Sequence, residues 1–234
     1  MPSVRLSIVN TLSPPPEGAE LVIFSDPRNY TAEYDSGRML TAAARYARRY
    51  KVFVLPERFI AEDYLCLCLL GPDGVPLGVQ RATHLNLDYR GRFRRADTVA
   101  PFDTPFGRVA LLVDVDVNMP QVPRAAVLAG AELLLSSQFI QLFDFFEDRI
   151  RYGAINAARS NGVAVAAAAG AGGVIVGPDG EPLAGYTEEL PLSAPLTPAA
   201  ARIGRDELMT GYRLLAAHRA LLIEETGGAP LEQG

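Results

Sequence analysis

"ALLVDVDVNMPQVPRAAVLAGAELLLSS", residues 110–137, is the stretch on which the fold turns. An apolar strand runs into Asp114 and Asp116, a Pro-marked turn follows, then an Ala-rich helix at about 121–130 and a second apolar strand. Strand, helix, strand in that order reads as a parallel βαβ unit. The two aspartates fall at the carboxyl end of the first strand, where open α/β sheets hold their ligands.

The same elements occur earlier in the chain. "VRLSIVN" (4–10) is answered by "VALLVDV" (109–115), and "AELVIFSD" (19–26) by "AELLLSSQ" (131–138). "RYKVFVLPE" (49–57) has a looser partner in "SNGVAVAAA" (160–168), and "LLGPDGVPLG" (69–78) returns as "VIVGPDGEPLA" (174–184). The offsets are all about 110 residues, so the chain reads as a duplicated unit. Each copy gives strand, connection, strand, helix, strand and a Pro-Asp-Gly hairpin. The helices are expected at 36–50 and 142–162, with Leu142, Phe145, Phe146, Ile150 and Ile155 at helical spacing in the second. Copy one has "TLSPPPEG" where copy two has its extra helix, and three consecutive prolines exclude a helix interior. The first strands are continuous apolar runs, as in strands covered on both sides. The expected fold is therefore α/β, a four-layer α-β-β-α sandwich with an internal pseudo-two-fold repeat.

Residues 1–205 are expected to form this single domain, and 206–234 a C-terminal helix with a loose tail. "LSAPLTPAAA" (192–201) reads as an extended or turn-rich connector, and Asp206 as the cap of a helix to about Ile223. Leu208, Tyr212, Leu215 and Leu222 make a stripe that either covers the core or meets another subunit. His218 is read as a surface or interface residue.

Composition narrows the partners. Of 234 residues 49% are hydrophobic and 21% charged, ordinary for a globular chain, and the net charge of −5 advertises no surface for nucleic acid. No apolar run reaches membrane-spanning length and the N-terminus lacks signal-peptide features, so a cytoplasmic location without membrane contact is expected. Cys66 and Cys68 alternate with leucines and read as core residues; with no His or further Cys beside them they make a poor metal site. The arginines of "YRGRFRRAD" (89–97) read as a solvated or salt-bridging rim, or as an anion or acidic-partner contact. "GAGG" (170–173) reads as a permissive turn, and Ser136 and Ser137 have no base placed near them by sequence.

Over residues 4 to about 190 the order of motifs resembles the nitrilase superfamily of carbon–nitrogen hydrolases. "AELVIFSD" resembles the approach to the family's glutamate motif, and "GPDGVPLGVQRATHL" the hairpin leading into its lysine motif. "GRVALLVDVDVNMPQ" resembles its cysteine motif, and "AARSNGVAVAAAAG" with "GVIVGPDGEPLA" the later helix, strand and hairpin. Residue by residue, the resemblance places the family's Glu on Asp26, its Lys on Ala82 and its Cys on Asp114. The aspartate after the cysteine falls on Asp116, the following Arg on Asn118 and the next Glu on Gln121. Lys51 is the single lysine, and both cysteines precede His84 and Leu85.

The expectation is a nitrilase-fold protein without an intact catalytic triad. The family reaction needs a thiolate nucleophile, a carboxylate acid/base and a cation for the developing negative charge. Aspartate at 114 is a weak nucleophile, and Ala82 supplies neither charge nor donor. Such a protein would act as a binding or assembly component for a small-molecule ligand. The resemblance further implies a homodimer or higher homo-oligomer. The alternative is a divergent hydrolase of amides or nitriles that uses Asp26, Asp114 and Asp116 with an activated water or a metal. Asp26, His84, Asp114 and Asp116 are the altered-site candidates, with Arg28, Arg81 and His84 as neighbours that could neutralise the carboxylates. The leading reading has no resident metal and no cofactor.

Overall fold

A computed structural model describes residues 3–10, 13–25, 36–86, 89–138, 148–170, 172–185, 190–199, 201–210, 212–214 and 216. The chain divides into two compact units, Met1–Arg202 and Ile203–Gly234.

The first unit holds two sheets. The parallel strands β1 (Val4–Asn10), β2 (Leu21–Ser25) and β3 (Phe53–Leu55) form the centre of one. Antiparallel β4 (Phe59–Ala61), β5 (Tyr64–Leu70) and β6 (Pro76–Arg81) extend it on the β3 side. The other sheet runs β12-β11-β10-β9-β8-β7. Its parallel centre is β8 (Gly107–Val113), β9 (Leu133–Gln138) and β10 (Ala164–Ala169). It is flanked by β7 (Phe102–Thr104), β11 (Gly172–Val176) and β12 (Pro182–Ala184). Three parallel strands followed by an antiparallel hairpin thus occur twice, as the repeat predicts.

Period-two alternation sorts the side chains into layers. Leu6, Ile8, Leu21, Ile23, Leu65 and Leu67 of the first sheet share one core with Val109, Leu111, Leu133, Leu135, Ala166 and Ile175 of the second. The intervening residues Val9, Val22, Phe24, Val54, Cys66 and Cys68 face the opposite way, against Ala43, Tyr46 and Ala47 of α1 (Ser36–Tyr50). On the second sheet, α3 (Asp148–Asn161) packs on β10 and β11, and α2 (Gln121–Leu128) packs on α3 and β8. The layers are α-β-β-α. Of the second expected amphipathic helix, residues 142–147, with Leu142, Phe145 and Phe146, lie outside the described residues; Ile150 is buried and Ile155 partly so.

The duplication extends to single hydrogen bonds. The Glu20 carboxylate accepts from the Arg5 backbone N–H at 2.9 Å, and that of Glu132 accepts from Arg108 N–H at the same distance. In the hairpins Gly74 and Gly180 have φ of 74° and 87°, and Asp73 and Asp179 accept from the N–H two residues on. That left-handed conformation is open to glycine at little cost, which is why Pro-Asp-Gly recurs.

The helix α1 stops at Lys51, which stands at φ 56°, with Val52 N–H donating to the Ala47 carbonyl at 3.3 Å, a Schellman-type stop. Two expectations need correction. Residues 192–196 of the expected connector form β13 (Leu192–Leu196), which pairs antiparallel with β1 in the register Val4↔Leu196 to Ile8↔Leu192. In the second unit the helix begins at 205, so Asp206 lies inside its first turn rather than capping it. Leu215, His218 and Leu222 lie outside the described residues.

Candidate functional site

The "VDVDVN" stretch looks like a strand because polar and apolar residues alternate. In the structure β8 stops at Val113 and Asp114–Asn118 form a 3-10 turn in which Asp114, Val115, Asp116 and Val117 are all buried. Asp114 stands at φ 52°, a left-handed conformation that L-residues adopt at a cost and that Asp tolerates better than most. The chain turns sharply there and enters α2 after Pro120. A strand, a residue of positive φ and a following helix make the kind of elbow that holds a nucleophile over an α/β sheet. Asp114 occupies it and is 1% exposed.

A second segment meets this turn. After β6 the chain continues through Ala82, whose N–H donates to the Leu65 carbonyl and whose carbonyl accepts from Ala96 N–H, both at 2.8 Å. The Ala82 methyl is fully buried and belongs to the core between the sheets. Thr83 and His84 then close on Asp116. Its carboxylate accepts from Thr83 N–H at 3.0 Å, Thr83 Oγ1 at 2.7 Å and His84 N–H at 2.9 Å. His84 Nδ1 lies 3.2 Å from the same carboxylate. Because the Thr83 hydroxyl spends its proton on Asp116, it can only accept from His84 Nδ1 at 2.9 Å. The imidazole proton therefore sits on Nδ1, and Nε2 accepts from the Gln121 amide at 3.0 Å.

Asp116 is a clamp between the 82–84 segment and the 114–118 turn. Burial pushes its carboxyl above the usual carboxylate range, while the Thr83 and His84 donors pull it back. Two of the four altered-site candidates, His84 and Asp116, are thus in direct contact, and Asp114 shares a turn with Asp116. Asp26 and Arg28 lie outside the described residues. Arg81, expected as a neutralising neighbour, turns away: its guanidinium bonds Glu62 at 2.6 Å and lies over the Tyr64 ring. Arg94 also lies over that ring, which ties part of the arginine-rich run into an aromatic contact.

The sequence reading missed Thr83, which supplies two of the contacts on Asp116. A backbone N–H that captures a carboxylate from another element leaves no residue pattern to find. It also missed the support behind the turn. Asn118 Nδ2 donates to Gln138 Oε1 at 3.2 Å, and Arg124 joins α2 to the end of α3 through Asn161 Oδ1 and the Ser160 carbonyl, each at 2.6 Å. Gly153 leaves the room in α3 that the Asn118 carboxamide occupies; a Cβ there would collide with Asn118 Oδ1.

Neither cysteine is near thiolate character. Burial raises both thiols, that of Cys68 to about 12, and the two lie among the residues packed under α1. Among the described residues no three His, Cys, Asp or Glu side chains are grouped to hold a metal ion.

Comparison with known proteins places these observations. The omega-amidase NIT2 of Bos taurus is 29% identical over 111 residues, 43% of this chain; the match spans only about 40% of that relative's length. An amidase from Nesterenkonia sp. AN1, solved with the acetamide moiety of fluoroacetamide added covalently at the active site cysteine, superimposes with a TM-score of 0.71 at 20% identity, covering 93% of this chain and 97% of that one. A carbon-nitrogen hydrolase from Helicobacter pylori G27 gives 0.69 at 17% identity over 99% of both chains. These structures are alike in fold. The carbon-nitrogen hydrolase family model matches residues 17–193, most of the two-sheet unit. The chain belongs to the carbon-nitrogen hydrolase family.

Proposed function

We propose that this chain has given up C–N hydrolysis and serves as a binding or assembly component, working as a homodimer or higher homo-oligomer in the cytoplasm. The observation that carries this reading is a carboxylate on the elbow together with a buried methyl at position 82. Asp114 stands at the left-handed position after β8 where the resemblance puts the nucleophile, and Ala82 is wholly absorbed in the core where it puts the lysine.

The chemistry supports the reading. Attack by a carboxylate on an amide carbon would have to expel an amine to form a high-energy anhydride. Without a cation or an N–H donor from residue 82, the developing oxyanion loses a stabiliser of a kind worth about 10²–10³ in rate. Asp116, which could serve as a base, is committed to Thr83 and His84. Its bonds hold two loops in place and leave the fold intact around an inert centre.

A second reading, a divergent amide or nitrile hydrolase acting through Asp26, Asp114 and Asp116 with an activated water or a metal, is supported by the amidase relatives and by the burial of two carboxylates in one turn. Turnover of an amide and nitrile panel, with and without divalent metal, separates the two. No turnover above that of Asp114→Asn, together with thermal stabilisation by a panel member, supports the binding role. Turnover that Asp114→Asn abolishes would overturn it in favour of the hydrolase.

A further inference from the structure

Beyond the 82–84 segment the chain concentrates positive charge that the elbow does not use. Residues 89–96 hold four arginines and no acidic residue, on a chain whose net charge is −5. Arg90, Arg92, Arg94 and Arg95 are all exposed, as is Arg81. The segment beneath them is bolted down. Arg92 and Phe93 N–H donate to the Tyr89 carbonyl at 3.1 and 3.2 Å, and Arg94 N–H donates to the Asp63 carbonyl at 2.8 Å. Ala96 N–H donates to the Ala82 carbonyl, also at 2.8 Å.

One buried ring organises this charge. The guanidinium carbon of Arg81 stands 4.3 Å from the Tyr64 ring centroid and that of Arg94 4.8 Å. Both lie within cation–π range, and the two cations are no farther apart than those distances laid end to end. Like charges held so close repel, so each gains from an anion of its own. Arg81 has one: the Glu62 carboxylate meets it at 2.6 Å although the Glu62 side chain is 76% exposed. Arg94 has none. Among the described residues Arg90, Arg94 and Arg95 make no ion pair and no side-chain hydrogen bond. A guanidinium placed over a ring keeps its N–H fork for other partners, and the fork matches the two oxygens of a carboxylate. With the backbone and the ring both holding Arg94, little of its freedom is left to lose on binding.

The surroundings select the occupant. Glu62 on Arg81 is the contact that a partner's carboxylate would repeat on Arg94. A nucleic-acid strand would need rings to stack on, but Tyr64 and Tyr89 are buried and two guanidiniums already lie over Tyr64. The exposed Glu62, Asp63 and Asp97 would also repel closely spaced phosphates. Carboxylates on separate, flexible side chains can reach the arginines and avoid those acids. We propose that residues 89–96, centred on Arg94 over Tyr64, form a docking surface for an acidic segment of a partner protein. The surface is separate from the elbow and does not depend on whether the elbow hydrolyses anything.

The test is binding of fluorescein-labelled octaglutamate to the full chain, read by anisotropy at low and at physiological salt. Octaglutamate binds, more weakly as salt rises, and octaglutamine does not. Arg94→Gln weakens binding about ten-fold, the effect of one charge-assisted contact. Arg94→Lys weakens it about five-fold, because an ammonium keeps the charge and lacks the planar fork. Arg151→Gln, at an exposed position on α3, leaves binding unchanged. Failure of octaglutamate to bind, full affinity in Arg94→Lys, an equal loss in Arg151→Gln, or tighter binding of an oligothymidylate of the same charge overturns the proposal. If Arg94→Gln does not fold, the double variant Arg90→Gln, Arg95→Gln takes its place, with a loss of at least about ten-fold expected.

Discussion

His84 and Asp116 face each other at 3.2 Å, yet their contact is one strand of a larger knot: Asp116 also gathers the backbone N–H groups of Thr83 and His84 and the Thr83 hydroxyl. The histidine side chain is 32% exposed and the aspartate fully buried, so the imidazole is the part of this pair that meets water. The elbow after β8 is held in place through this knot, and its consequences can be measured.

Asp116→Ala strands donors from two residues against the turn. The expected loss is about 3 kcal/mol of unfolding free energy in urea titration. His84→Ala keeps the backbone N–H on Asp116 and removes only the contacts of the partly exposed imidazole, so it should cost about 1 kcal/mol or less.

The pH dependence of Asp116 has a definite sign. Its carboxyl is raised by burial, so between the ordinary carboxylate pKa and the raised one the folded state binds more protons than the unfolded state. Its contribution is fully present below the ordinary value and declines as pH rises through the folded value. Subtracting the stability profile of Asp116→Asn from that of the wild type should therefore give a curve that falls from acid toward neutral pH.

At Asp114 the backbone, at φ 52°, selects among substitutions. Asp114→Val should cost about 2 kcal/mol, because a β-branched residue is strained in the left-handed region. Asp114→Asn should retain the fold, since Asn also tolerates that region. Thermal unfolding of the two variants provides the comparison.

The cysteines should be silent in the folded chain. With the Cys68 thiol pushed up to about 12, its thiolate is about one part in ten thousand at pH 8. Alkylation followed by mass spectrometry should leave both cysteines unmodified in native buffer and label both in denaturant.

The duplicated hairpins should respond unequally. A Cβ at Gly74 would lie 2.6 Å from the Ala44 carbonyl oxygen of α1, whereas at Gly180 it would meet the Arg159 side chain at 2.9 Å. Both Gly→Ala changes carry about 1 kcal/mol for the positive φ. Gly74→Ala should cost more, because its clash with the helix carbonyl at 2.6 Å is the closer one, while that at Gly180 is with Arg159 Cβ at 2.9 Å. Parallel denaturant titrations would give the difference.

The layers were readable because apolar runs, hairpin glycines and the repeat all pointed to one arrangement. The strand β13 was not, because Pro195 reads as a connector. Pro195 lies exposed on the outermost strand of its sheet, where a missing N–H breaks no central ladder. The elbow was misread for a different reason: "VDVDV" has the period of a strand, and only tertiary burial of all four residues after Val113 shows a turn. Asp116 was identified as a candidate and its role depended on Thr83, whose backbone contact no spacing encodes. Arg81 was expected at the carboxylates because the sequence cannot tell which way a strand-end arginine leans.

The pairing of β1 with β13 sets an order on synthesis. Within the two-sheet unit, residues 4–8 are made early and their antiparallel neighbours at 192–196 late. Through most of translation β1 can pair with β2 while its other side still offers unmatched N–H and C=O groups. The nascent chain must carry that open edge until residue 196 arrives, which makes the strand joining the two ends of the unit the last seam to close.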